Sequence, residues 1–332
     1  MIEVLEKLAD DEKKKLKKMK QPSWLEPMLA TLTKKRFSNP DWLYERKLDG
    51  ERCLAFKKGN DVRLRSRNNK DLNANYPEVV DILEKQKIDS FIIDGEIVAF
   101  EGDVTSFSRL QGRMHIVNEE EARTSKIAVY YYIFDIMYID SYDLSDLPLD
   151  ARKHVLKLSL SFNAPLRFTI HRNGEGEKFY QEACRKKWEG IIAKKSDSIY
   201  VNSRSSSWLK FKCANQQEFA IGGYTQPEGN RIAFGAILIG YYDNGDFVYA
   251  GKVGAGFDNK ILHDLGKKMH SLERKTSPFD RGEPSKKGVH WVKPELVAEI
   301  GFTEWTDDNK LRHPRYLGSR RDKKASRVVK EK

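Results

Sequence analysis

The stretch Glu45-Arg46-Lys47-Leu48-Asp49-Gly50-Glu51-Arg52 constrains this chain more than any other. Its flanks, residues 41–44 and 53–56, mix aromatic and aliphatic side chains as strands do. Asp49-Gly50 is a turn pair, so a tight loop between two strands is expected to carry Lys47. A lysine there attacks only as the neutral amine, and a neighbouring cation such as Arg52 is expected to lower its pKa by disfavouring the charged form. A solvated charge cluster has the same pattern, because lysines are mostly surface residues. The rest of the chain has to decide.

Sixty Lys and Arg against 49 Asp and Glu give a net charge of +11, which suits a polyanionic partner as well as a plain basic surface. The 332 residues allow two domains with real cores. Residues 233–242 form an apolar run about half of what a membrane span needs. The first residues lack a basic region followed by an apolar core, so neither a signal peptide nor a membrane partner is expected, and the location expected is cytoplasmic. Cys53, Cys184 and Cys213 are far apart and form no Cys-x-x-Cys pair, so thiols in a reducing compartment are the default.

Apolar periodicity predicts a short N-terminal helix over 2–19, ended by Pro22. Residues 62–67 alternate so that Arg63, Arg65 and Arg67 share one strand face. Helices are expected over 76–83, 106–112, 149–158 and 178–187, and strands over 91–100, 129–138 and 167–170. Glu96 lies in a run so apolar that it needs a cation, a metal or a hydroxyl, or else a strand end reaching water. Glu189 and Lys194 have opposite parity in the strand 189–195 and share a site only if the regular strand begins after Glu189. Trp208, Lys210 and Lys212 share one face of the next strand, where two lysines repel unless an anion lies between them.

Composition shifts near residues 214–217. Strands at 218–224, 233–242 and 247–253, a hairpin turn at 243–246, a helix at 258–272, a polar loop at 277–287 and strands at 291–292 and 296–305 suggest a small oligonucleotide/oligosaccharide-binding barrel. The tail, residues 312–323, is dense in cations.

Taken in order, these motifs resemble the covalent nucleotidyltransferases, and specifically the ATP-dependent DNA ligases. The carriers are Lys47-Leu48-Asp49-Gly50-Glu51-Arg52, Ser66-Arg67-Asn68, Asp94-Gly95-Glu96, Phe134-Asp135, Glu189-Gly190-Ile191-Ile192-Ala193-Lys194, Trp208-Leu209-Lys210-Phe211-Lys212 and Arg320-Arg321-Asp322-Lys323. Pro27-Met28-Leu29-Ala30 and Arg312-His313-Pro314 look most like the ligase core of bacterial non-homologous end joining. The resemblance implies an α+β fold: an ATP-grasp-like adenylation domain with antiparallel sheets over 1–214, then an OB-fold barrel over 215–332.

It also implies a reaction that seals 5′-phosphate/3′-hydroxyl breaks through a lysyl-AMP intermediate on Lys47. By carry-over, Glu45 binds the adenine amino group, Arg52 and Glu96 hold the ribose region, Arg67 binds phosphate and Phe134 stacks the base. Glu189, with Glu96, recruits the metal, while Lys194, Lys210 and Lys212 contact the reacting phosphates. Arg320 joins the nucleotide-binding set, and Asp322 and Lys323 act in the first step. The implied cofactors are ATP and Mg2+, with Mn2+ as a substitute. The implied partners are nicked or broken duplex DNA, read without sequence preference, and a DNA-end-binding protein. The protein is expected to be a monomer, associated with the nucleoid in a bacterium. No Walker loop is present, so ATP must be bound by this route. An RNA ligase or a capping guanylyltransferase is the rival within the superfamily, and a decayed, non-catalytic DNA-binding protein the rival outside it.

Overall fold

Tyr130–Ile139 is apolar on both faces, and both faces are covered. In the computed structural model, which describes residues 3–213, 215–227, 232–282, 284 and 288–331, it runs inside a seven-stranded sheet. Ser90–Val98, Glu51–Lys58 and Asp61–Ser66 follow it on one side, all antiparallel. Tyr131, Ile133 and Ile136 point into a core shared with the helices Pro77–Glu84, Phe107–Met114 and Leu149–Ser159. Phe134 and Met137 point the other way, towards a second sheet.

That second sheet has five strands in the order His171–Asn173, Trp42–Lys47, Gly190–Lys195, Arg204–Lys212, Leu29–Leu32. Leu43, Met28 and Trp208 from its side meet Phe134, Leu54 and Phe56 from the first sheet, so an apolar layer joins the two. Helix Gly176–Arg185 covers its outer face through Phe179 and Ala183.

One charged tether crosses the core. Arg152 donates to both oxygens of Asp135 at 2.7 and 2.9 Å and to the carbonyls of Leu147 and Ser198. Both side chains are fully buried, so the pair ties the helix Leu149–Ser159 to the strand that carries Phe134.

Several expectations need correcting. The single helix over 2–19 is two short helices, Glu3–Glu6 and Asp10–Lys13, followed by Lys17–Lys18 added to the sheet edge beside Tyr142–Asp143. The Glu12 carboxylate accepts from the Ala9 N–H and starts the second helix, while Lys17 is drawn to Asp146 at 2.5 Å. The strand expected over 167–170 is two pieces, because the chain leaves the first sheet at Leu166–Phe168 and joins the second at His171–Asn173. The three-arginine face is also broken: the strand stops at Ser66 and Arg67 falls in the following turn, while Arg63 and Arg65 pair with Asp61 and Asp71. Cys184 and Cys213 are not separate thiols. They form a disulfide between the helix Gly176–Arg185 and the end of strand Arg204–Lys212, a pairing across 29 residues that spacing did not signal. Cys53 remains free and buried, with burial holding its thiol pKa well up.

The chain divides into two units, Met1–Cys213 and Ala214–Lys332. In the second, Asn215–Thr225 pairs with Ile237–Asp243 on one side and with Val289–Val292 and Val297–Phe302 on the other. Asp246–Val253 and Arg315–Ser319 lie further out on either side, and Asn244-Gly245 turns the hairpin. Helix Asn259–His270, capped by Asp258, packs Leu262, Leu265 and Met269 into the core. The strand pattern fits the OB family, but no closed barrel forms among the described residues. Asp246–Val253 ends early, and its continuation meets Arg315 by a single bridge at Ala255. Gly256 then takes φ +93°, where a Cβ would stand 2.2 Å from the Tyr316 carbonyl oxygen. The expected polar loop over 277–287 lies partly outside the described residues. Among these residues no helix is long and apolar enough to cross a membrane.

Candidate active site

Register builds the site. Gly190 stands opposite Lys47 on one neighbour and Lys212 on the other, while Ile192 stands opposite Glu45. The regular strand begins at Gly190, as the parity of Glu189 and Lys194 required. Gly190 takes φ +150°, and a Cβ there would lie 2.0 Å from the Phe211 carbonyl oxygen. That backbone turn swings Glu189 towards Lys47.

Lys47 is the last residue of its strand, not part of the loop. Its Nζ donates to Glu189 Oε2 at 2.5 Å, and Lys212 Nζ lies 4.0 Å from the other Glu189 oxygen. Burial pushes the Lys47 ammonium down and Lys212 adds to this, but Glu189 and Glu96 outweigh them and hold its pKa above the ordinary lysine value. The expectation that Arg52 depresses it is therefore corrected. The nearby cation is Lys212, and the carboxylates win.

Arg52 is occupied differently. Its guanidinium grips Asp94 with two bonds of 2.5 and 2.6 Å, donates to the Met28 carbonyl and stands 4.6 Å from the centre of the Phe134 ring. Tyr200 completes this knot by donating to Asp94 at 2.7 Å. Glu96 is Arg52's cross-strand neighbour and acts on Lys47 electrostatically.

Glu45 is buried between two lysines, with Lys153 at 2.5 Å from Oε1 and Lys194 at 2.7 Å from Oε2. Burial raises the Glu45 pKa, but the two lysines reverse that and leave it below the usual carboxylate range. Lys194 Nζ also stands 4.1 Å from the centre of Phe134 and 4.0 Å from that of Trp208. Trp208 Nε1 is buried without a hydrogen-bond acceptor among the described residues, and the buried Lys194 Nζ has the Glu45 carboxylate as its one ion-pair partner among them.

So the structure brings together Glu45, Lys47, Arg52, Glu96, Phe134, Glu189, Lys194, Trp208 and Lys212, with Lys210 on the same strand face as Lys212. Arg67 lies on the turn after its strand. Arg320, Asp322 and Lys323 belong to the second unit. There Asp322 is buried and accepts two bonds from Arg320, at 2.9 and 2.8 Å, while Lys323 pairs with Glu218 at 2.9 Å. Sequence reasoning missed Lys153 and Tyr200 and gave Asp94 no role. Asp94 was at least visible inside Asp94-Gly95-Glu96, whereas nothing in the local sequence marked Lys153.

No group of three or more His, Cys, Asp or Glu among the described residues could hold a metal by itself. Glu189 and Glu96, the carboxylates that act on Lys47, still fit Mg2+, which is commonly held by one or two carboxylates together with substrate phosphates.

A carboxylate-held lysine, a second lysine on the same carboxylate and a buried aromatic flanked by cations define a nucleotidyltransferase-type site. The chain belongs to the ATP-dependent DNA ligase family: residues 27–212 match the ATP dependent DNA ligase domain and residues 230–323 the ATP dependent DNA ligase C terminal region. It is 36% identical over 315 residues to the multifunctional non-homologous end joining protein LigD of Mycobacterium bovis, covering 92% of this chain and 40% of that protein. The chain thus spans about two-fifths of that relative. It is 31% identical to the SPbeta prophage-derived DNA ligase-like protein LigB of Bacillus subtilis, covering 88% of this chain and 98% of the relative. Among solved structures it is similar to mycobacterial DNA ligase D complexed with ATP and MES, with TM-score 0.65 and 33% identity over 92% of this chain and 98% of the other.

Proposed function

We propose that this chain seals 5′-phosphate/3′-hydroxyl breaks in duplex DNA with ATP, through AMP carried on Lys47, in the repair of nicks or double-strand ends. The observation that carries the reading is the Glu189 carboxylate set between Lys47 and Lys212. The Lys47 amine attacks the α-phosphorus of ATP, an N–P bond forms and pyrophosphate leaves. A 5′-phosphate oxygen of the break then takes the AMP and frees Lys47. The 3′-hydroxyl attacks the activated phosphorus, and AMP departs as the phosphodiester forms.

Lys47 has to lose its proton before it attacks, and Glu189 is the carboxylate that keeps the proton on. Lys194, Lys210 and Lys212 meet charge that develops on phosphoryl oxygens. Glu45 takes the adenine amino group, Phe134 the base, Arg52 and Glu96 the ribose, and Arg67 a phosphate. Glu189 and Glu96 would hold Mg2+, or Mn2+ in its place, which supplies further neutralisation of the phosphates. A buried donor without an acceptor among the described residues, Trp208 Nε1, and a buried Lys194 ammonium that shares its one carboxylate with Lys153 support an acceptor-rich ligand here. The names of the LigD relatives favour end joining as the setting, in which an end-binding protein would be the partner.

Incubation with labelled ATP or GTP, followed by sealing of a nicked duplex, tests the reading. A covalent AMP adduct and a sealed strand are expected. An adduct from GTP alone would sink this function in favour of capping, and no adduct at all would leave a DNA-binding protein.

Affinity for nicked duplex should fall steeply with salt, because the net charge of +11 acts through phosphate contacts. For about 6–10 such contacts, the loss between 50 and 200 mM salt is about 10³–10⁵-fold. Fluorescence anisotropy on two unrelated nicked sequences should give the same slope; a flat salt response or a strong sequence preference would refute sequence-independent backbone binding.

A further inference from the structure

Glu45 is the only carboxylate within ion-pair distance of Lys194 among the described residues, and it is shared. Lys153, only 2% exposed, reaches it from the helix Leu149–Ser159, 108 residues away in sequence, and also donates to the Thr169 carbonyl at 3.0 Å. Lys194 has only the remaining oxygen, at 2.7 Å. Two buried ammoniums on one carboxylate leave one positive charge in excess. A buried excess charge is costly until an anion meets it.

We propose that Lys153 is a positioning residue for nucleotidyl transfer: by holding Glu45 it fixes that carboxylate and keeps it from fully compensating the Lys194 charge, so that Lys194 is left for the nucleotide's phosphates. The proposal rests on the reading of Lys47 as the AMP carrier and of Lys194 as a phosphate contact. Geometry favours Lys153 as the stronger holder. It meets two acceptors, Glu45 and the Thr169 carbonyl, whereas Lys194 meets Glu45 alone and sits over the rings of Phe134 and Trp208.

The charged groups facing Lys194 are few. Glu45 comes from strand Trp42–Lys47, Lys153 from the helix Leu149–Ser159, Asp135 from strand Tyr130–Ile139 and His171 from strand His171–Asn173. Asp135 is committed to Arg152. Burial, then Lys153, push His171 below its ordinary value, so it adds no charge near neutrality. Burial, opposed by Glu45 and assisted by Lys153, holds the Lys194 ammonium at about 8. Its charge is therefore present below that pH and lost above it. Removing Lys153 hands the whole of Glu45 to Lys194 and should raise that limit. Removing the Glu45 charge should lower it.

The test is the pH profile of lysyl-AMP formation from ATP, measured on the full chain with KM and kcat separated. For Lys153→Met, the alkaline limb should move up by about one unit, a tenfold change in the proton equilibrium, and KM for ATP should rise. Lys153→Arg keeps the charge and should keep the wild-type limb. Glu45→Gln should move the limb down, and it decides the matter if Lys153→Met does not fold. An alkaline limb that stays in place in both Lys153→Met and Glu45→Gln would overturn the proposal, as would a loss in Lys153→Met seen equally in kcat and stability without a pH shift. Failure of the wild-type protein to form any adduct would overturn the ligase reading itself, and this inference with it.

Discussion

Lys47→Ala folds and binds nicked DNA but forms no AMP adduct, with the first step slowed at least about 10⁴-fold, a loss of the size seen when a covalent nucleophile is removed. The residue at risk of being mistaken for the nucleophile is Lys212, which shares Glu189. Lys47 makes the short bond to that carboxylate, whereas Lys212 lies 4.0 Å from its other oxygen. Lys212→Ala should therefore keep a slow adduct, while Lys47→Ala keeps none. Stability should change by about 1–2 kcal/mol in Lys47→Ala, because Lys212 remains beside the Glu189 charge. Intact-mass spectrometry after incubation with ATP reads the adduct, and thermal denaturation reads the fold. An AMP-bearing Lys47→Ala protein would remove Lys47 from the chemistry.

Asp322→Ala should destabilise the second unit by about 1.5–3 kcal/mol, the usual cost of losing a hydrogen bond to a charged group. Arg320, its side chain 10% exposed, has Asp322 as its two-point acceptor and Glu299 at 3.4 Å, so the substitution removes the two-point partner and leaves the weaker one. Burial pushes the Asp322 pKa up, but Arg320 and then Lys323 outweigh it and hold it below the ordinary aspartate value. A loss of activity in Asp322→Ala therefore speaks to folding and not to chemistry. Lys323 is the better probe of the proposed first-step role, because its bond to Glu218 is partly exposed and its loss costs little stability. Lys323→Ala should lose adduct formation from ATP about 10²-fold or more, a size typical of a removed transition-state contact, yet still seal a nick that already carries 5′-AMP. A tail that only grips DNA would give the opposite pattern, with the adduct intact and sealing lost. Both activities measured on one preparation separate the two, and denaturant titration of Asp322→Ala measures the structural share.

Much of the site was legible because its chemistry is local in sequence. Lys47, Glu96, Lys194 and Lys212 sit in short strands whose period of two fixes which side chains share a face, and Glu189 stands immediately before one of them. The parity conflict between Glu189 and Lys194 even told where the strand had to begin, and Gly190 supplied the backbone freedom to begin there. Arg67 was misplaced because the same period was carried one residue past the end of its strand.

The sequence by itself determined the order of strands and helices, the two-unit length of the chain and the residue types that gather around Lys47. Only the tertiary structure decided who holds whom. Lys47 meets Glu189 across 142 residues and Lys153 meets Glu45 across 108. Asp94 claims Arg52, Arg152 claims Asp135, and Cys184 finds Cys213. The physical reason is common to all of them. Local propensity acts over a few residues, whereas the pKa of a buried charge and its choice of partner depend on which strands lie side by side and how far their neighbours exclude water.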